Sequence, residues 1–153
     1  MEKIEFVWTD GDNEDFCKFY LETEEYYSKV AGGRKKREGF VKYNLSSDIP
    51  DVLIAYLDGA AVGCAGLKKY NDTDVEIKRV WVEPGFRGKH IATDLMNRIE
   101  EKAREMNFRR AILQTRPIMT DAVELYTKRG YELIENYPPY DKLEGAICMA
   151  LDL

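Results

Sequence analysis

From Ile91 onward, apolar residues return at Leu95, Ile99, Ala103 and Met106, and charged residues fill most of the other face. Steps of four and three residues come back to one side of an α-helix, so this stretch predicts an amphipathic helix of about four turns. Earlier in the chain the period shortens. Val52 to Leu57 and Ala60 to Leu67 predict two strands, and Asp58-Gly59 between them signals a hairpin turn. Asp74 to Val82 predicts a third strand. There Val75 and Ile77 share one parity, whereas Val80 and Val82 share the other. One extra residue near Arg79 would bring all four to the same face, which predicts a β-bulge. A strand buried on both sides would need none.

The remaining patterns are shorter. Ile4 to Trp8 predicts a first strand, with Asp12 or Asn13 as the cap of a following helix. Phe16, Tyr20 and Tyr27 lie near one face of that helix. The segment AGGRKKREG, Ala31 to Gly39, breaks it, and the basic cluster Arg34 to Arg37 reads as a solvated face. Arg109 to Thr115 predicts a buried strand. Thr120 is expected to cap a short helix from Asp121 to Arg129 that Gly130 ends. YELIE and AICMAL predict two closing strands around the loop NYPPYDKLEG. The order is strand, helix, hairpin, strand, helix, strand, helix, strand, strand. That is an α/β (α+β) mixed sheet with helices on its faces. A chain of 153 residues fits one such domain, taken as residues 1–153.

Composition narrows the function. With 44% hydrophobic and 33% charged residues, and no apolar run of membrane-spanning length, a soluble cytoplasmic protein with no membrane partner is expected. The acidic N-terminus does not resemble a signal peptide. A net charge of −5 argues against broad nucleic-acid binding, which needs a basic face. Any anionic ligand must be held by a local positive site. Cys17, Cys64 and Cys148 are far apart, no CxxC occurs, and His90 is the single histidine. No metal site is expected, and the cysteines read as small core residues.

One local positive site is available. VEPGFRGKHIATDLM, Val82 to Met96, carries a strand into a glycine-containing basic turn and then a helix start. The first amides of a helix lack intrahelical acceptors, and the helix dipole favours an anion there. Arg87 and Lys89 add donors, and Gly88 permits close approach. The P-loop pattern fails, being two residues short and lacking the hydroxyl, and GxGxxG is absent. The residues alone leave a phosphate or pyrophosphate site level with an ordinary glycine turn.

Together with AVELYTKRGYELI, Ala122 to Ile134, the stretch VWVEPGFRGKHIATDLM resembles the GNAT N-acetyltransferases. The first fits R/Q-x-x-G-x-G/A, with Arg87 first, His90 in place of the middle glycine and Ala92 last. The second fits A-x-x-L-Y-x-K-x-G-F/Y. The resemblance covers at least Val52 to Ile134. It implies a GNAT-like acyl-CoA acyltransferase fold whose central mixed sheet splays around acetyl-CoA, the co-substrate. It implies a pyrophosphate cradle of Arg87, Gly88, Lys89, His90, Ile91 and Ala92, with Thr93 nearby. The pantetheine arm would run along the backbone of Val80, Trp81 and Val82, and the bulge would aim an amide at the thioester carbonyl. Two positions depart from the family. His90 is expected to have negative φ and to face a phosphate, with a solvent-facing imidazole as the alternative. Met119 stands where many members have asparagine.

Amine acetylation needs a base for the ammonium and benefits from an acid for the leaving thiolate. Glu76, on the strand before the bulge, is the candidate base, directly or through a water. The competing reading is a Glu76–Lys78 pair on an exposed face. The resemblance makes Tyr126 the candidate acid, against a purely packing role. For the acceptor, Tyr26, Tyr27, Asp74, Tyr137 and Tyr140 could select a cation, or Arg37 and Asn44 a carboxylate. The function expected is acetyl transfer to a primary amine of a small molecule or amino acid. The alternatives are a non-catalytic acyl-CoA-binding module and an α/β domain for another phosphate ligand. Exposed strand edges are compatible with a homodimer.

Overall fold

The computed structural model describes residues 3–30 and 48–153, without the side chains of Tyr27, Ser28 and Val30. Arg37, Asn44 and the AGGRKKREG segment lie outside the described residues. Among the described residues, seven strands form one sheet: β1 (Ile4–Thr9), β2 (Asp51–Leu57), β3 (Ala60–Lys69), β4 (Asp74–Val82), β5 (Arg110–Thr115), β6 (Glu132–Ile134) and β7 (Ile147–Asp152). Their spatial order is β1-β2-β3-β4-β5-β7-β6, and every neighbouring pair is antiparallel except β4–β5. Helix α1 (Glu14–Val30) follows β1, α2 (Ile91–Glu105) follows β4, and α3 (Thr120–Lys128) follows β5.

Local chemistry explains most boundaries. The Asn13 Oδ1 accepts the Asp15 and Phe16 amides at 2.9 and 3.1 Å, so Asn13 caps α1. Asp58 and Gly59 have φ of 49° and 87°, the two left-handed residues a tight hairpin needs. Thr120 is not a cap. Val123 N–H already bonds to the Met119 carbonyl at 3.0 Å, so α3 starts one residue earlier than expected and Thr120 is its first residue. Met106, the last member of the predicted stripe, falls at the C-cap of α2 and remains 39% exposed.

The sheet has a core on each face. Ile91, Leu95, Met96, Ile99 and Ala103 of α2 join Val75, Ile77 and Val82 of β4 on one side. Each such Leu, Ile or Met, fully buried, contributes about 1.5–3 kcal/mol. Phe16 and Phe19 of α1 pack with Ile54, Cys64 and Trp81 on the other. Beyond them, Tyr137, Tyr140 and Cys148 cover Ile112. The parity reading of β4 holds. Val80 packs against the α2-side core alongside Val75, Ile77 and Val82. The pairing skips between Gly66↔Lys78 and Cys64↔Trp81, leaving Ala65 opposite Arg79 and Val80. Arg79 has φ 57°, so the bulge turns through a left-handed residue. The strands are close here: a Cβ on Gly63 would stand 2.9 Å from the Trp81 carbonyl oxygen. Among the described residues, no helix is long and apolar enough to cross a membrane.

Candidate active site

β4 and β5 share only three pairs, Asp74–Arg110, Val75–Ala111 and Glu76–Ile112. Past these, β4 continues to Val82 and β5 to Thr115, and the strands diverge. A cavity of about 350 Å³ opens at the divergence, within the range of small-ligand sites. Glu76, Lys78 and Val80 of β4 line one wall, and Leu113, Thr115 and Tyr126 line the other.

Glu76 is buried, not on an exposed face. Lys78 Nζ donates to its Oε1 at 3.2 Å and the Tyr137 hydroxyl to its Oε2 at 2.8 Å. Lys78 also donates to the Tyr140 hydroxyl at 3.1 Å. Burial lowers the Lys78 pKa, and Glu76 pulls it back up. Burial also raises the Tyr137 pKa, with the Glu76 charge adding to it, so the phenol remains a donor. The Glu76–Lys78 pair of the competing reading therefore exists, but it sits inside the protein beneath the NYPPY loop and not on an exposed face.

The basic turn forms a second, smaller pocket of about 230 Å³, lined by Val82, Arg87, Gly88, His90, Ile91, Ala92 and Thr93. It shares Val82, Arg87 and Ala92 with the larger cavity. The first α2 bond runs from Asp94 N–H to the His90 carbonyl at 3.0 Å, so the amides of Ile91, Ala92 and Thr93 precede it. Lys89 is exposed and lines neither pocket; its ammonium lies 5.9 Å from the Phe86 ring centroid. Arg87 Nε donates to the Val82 carbonyl at 2.9 Å, with the guanidinium 4.8 Å from the Trp81 ring.

His90 corrects an expectation. Its φ is 63°, not negative, because the chain must reverse into α2 through the N-cap position. Histidine occupies the left-handed conformation that glycine adopts without a Cβ penalty. His90→Gly is expected to stabilise the fold by about 1 kcal/mol. Thermal unfolding of the variant checks this, and an unchanged or lower Tm would show that the imidazole recovers the backbone cost.

Glu83 follows β4. Burial, reinforced by a hydrogen bond and charge repulsion from Glu22, raises its pKa to about 7. Between its ordinary 4.5 and about 7, the folded state binds more protons than the unfolded state. Stability from this group is therefore full below pH 4.5 and is lost as pH rises through about 7. Glu83→Gln should raise Tm more at pH 8 than at pH 4.5 relative to wild type, as a pair of melting series would read.

The other predicted residues divide. Tyr126 is buried on the cavity wall, its ring 5.7 Å from that of Tyr131. Tyr140 also lines the cavity, whereas Tyr137 stands behind Glu76. Tyr26 lines the mouth with its edge on Trp81, centroids 5.3 Å apart. Asp74 is away from the cavity, accepting from Arg110 at 2.8 Å. Tyr27 belongs to α1, and its side chain is outside the described set. Arg116 and Lys78 line the cavity, yet neither was expected there as a site residue. Lys78 had a signal, its i+2 spacing from Glu76. Arg116 had none, because it lies in the connection after β5.

A model of the Acetyltransferase (GNAT) family matches residues 14–131. An IAA acetyltransferase of Azospirillum brasilense is 32% identical over 94 residues, covering 60% of this chain and 61% of that protein. The chain spans about half to three-fifths of the length of the first curated relatives it matches. Among solved structures, a Klebsiella pneumoniae protein assigned as an acyl-CoA N-acyltransferase superposes with TM-score 0.82 at 22% identity, covering 98% of this chain and 97% of its own. A GNAT family acetyltransferase of Elizabethkingia anophelis, solved with acetyl-CoA bound, gives TM-score 0.69 at 18% identity, covering 98% of both chains. These two show the shared fold. With the family model spanning most of its length, this chain belongs to the GNAT acetyltransferase family.

Proposed function

We propose that the protein is an acetyl-CoA-dependent N-acetyltransferase acting on a primary amine of a small molecule or amino acid, by direct attack without an acyl-enzyme. One observation carries the reading: Glu76 and Tyr126 line a single cavity that shares Val82, Arg87 and Ala92 with the Gly88–Thr93 pocket. Acetyl-CoA suits these residues. The left-handed Gly88, with no heavy atom within 4 Å of a would-be Cβ, leaves room beside the α2 amides for a pyrophosphate. The splayed strands leave space for an extended arm along Val80 and Val82. The Elizabethkingia structure holds acetyl-CoA on the same fold.

Each residue then has a task. Glu76 takes a proton from the acceptor ammonium, directly or through a water, freeing the nitrogen lone pair. That lone pair forms the C–N bond at the thioester carbonyl, while a bulge amide donates to the oxygen as it gains charge. As the C–S bond breaks, Tyr126 gives its phenolic proton to the departing sulfur, and the nitrogen sheds its remaining extra proton to become the neutral amide, that proton restoring the phenol through solvent. The tests are calorimetric titration with acetyl-CoA, CoA and ATP, and thiol release with a panel of amines and amino acids. Tighter binding of acetyl-CoA than ATP, with thiol release that requires an amine, supports the assignment. Binding without release across the panel would favour an acyl-CoA-binding module, and equal affinity for ATP another phosphate ligand.

A further inference from the structure

The β4 bulge is fastened from one side by a buried charge. The Arg79 side chain is 4% exposed and turns from the sheet into α1. Its Nη1 donates to Thr23 Oγ1 at 3.1 Å, and its Nη2 pairs with the Glu24 carboxylate. The guanidinium carbon lies 4.4 Å from the centroid of the Tyr20 ring. The Arg79 carbonyl accepts the Cys64 thiol at 3.3 Å. Three residues from one turn of α1 thus hold the side chain, and β3 holds the backbone.

A bulge alone does not require this. Its φ of 57° suits glycine without strain, and arginine is a residue that this backbone disfavours. Burying a charge is costly unless its hydrogen bonds are met. Nor does α1 need an ion pair to dock, since Phe16 and Phe19 are already sunk in the core. What the arginine adds is a fixed distance and direction between α1 and the bulge. Both ends of that link reach the cavity, because Tyr26 of α1 and Val80 of the bulge line it.

We propose that Arg79 is a positioning residue for acetyl transfer: by tying the bulge to α1 it fixes the aim of the bulge amides into the cavity. This rests on the acetyltransferase reading above. Small misplacements of such donors carry large kinetic penalties, on the order of a hundredfold for 1 Å.

The test variant is Arg79→Gly, which keeps a backbone able to adopt the bulge and removes the tie. Its kcat is expected to fall at least about tenfold, with acetyl-CoA affinity by calorimetry unchanged and with partial recovery in added guanidinium ion. Amide exchange by NMR should speed up at residues 79–81 and stay unchanged at residues 75–77. Wild-type kcat in Arg79→Gly overturns the proposal. So does a loss without guanidinium rescue, whether exchange is unchanged at the bulge or equally faster at residues 75–77, the latter being the signature of simple destabilisation. If Arg79→Gly does not fold, Glu24→Gln is read by kcat and by exchange at residues 79–81, with a smaller loss expected and wild-type kcat again overturning the proposal. Absence of any transfer by wild type overturns the acetyltransferase reading, and this role with it.

Discussion

Glu76→Gln is expected to lower kcat by about 10²–10⁴-fold, the usual worth of a positioned proton acceptor, while acetyl-CoA affinity stays near the wild-type value. Glutamine keeps the volume and can still accept from Tyr137, but it cannot take a proton from an ammonium. One complication follows from the site. Lys78 is 3.2 Å from Glu76 and buried, so the substitution leaves an ammonium without its counter-charge. Breaking a buried pair in this way costs about 3–5 kcal/mol of stability if the survivor stays charged. Lys78 can escape part of that by losing its proton, since burial already lowers its pKa. The double substitution Glu76→Gln/Lys78→Met separates the two effects. It should recover Tm without recovering kcat. Recovery of both would mean that Glu76 serves to neutralise Lys78 and that the proton leaves by another route.

The pair also illustrates what a sequence can and cannot carry. A spacing of two puts Glu76 and Lys78 on one face of a strand, which the chain states directly. Which face is covered depends on Tyr137 and Tyr140, roughly sixty positions later, and no local pattern links them. The bulge was legible because side chains alternate with a period of two. One inserted residue is what turns the parity over between Ile77 and Val80 while keeping both on the core face. The sign of φ at His90 was not legible, since it depends on how the turn meets α2 and not on residue type. The cradle and Tyr126 came from the family resemblance more than from chemistry, which left phosphate binding level with a plain turn. The tie made by the Arg79 side chain carried no signal at all. A lone arginine in an apolar strand says nothing of the α1 residues that hold it.

Tyr126→Phe should lower kcat on the order of a hundredfold, with acetyl-CoA binding unchanged. The ring is set against a braced floor. Tyr131 beneath it donates to Glu100 at 2.9 Å, and Arg129 holds the same carboxylate through two bonds of 2.9 and 2.6 Å. Phenylalanine fits that floor, so the fold should lose only about 0.5–1.5 kcal/mol with the hydroxyl. What disappears is a proton for the departing sulfur. The acid role therefore makes a second claim, about the donor and not about the protein. An activated acetyl ester such as 4-nitrophenyl acetate releases a leaving group that departs unprotonated. Transfer from it, slow as it is without the coenzyme's handle, should be the same in Tyr126→Phe and in wild type. A defect confined to the thioester identifies Tyr126 as the proton source, whereas an equal defect with both donors would make it a packing residue of the cavity wall.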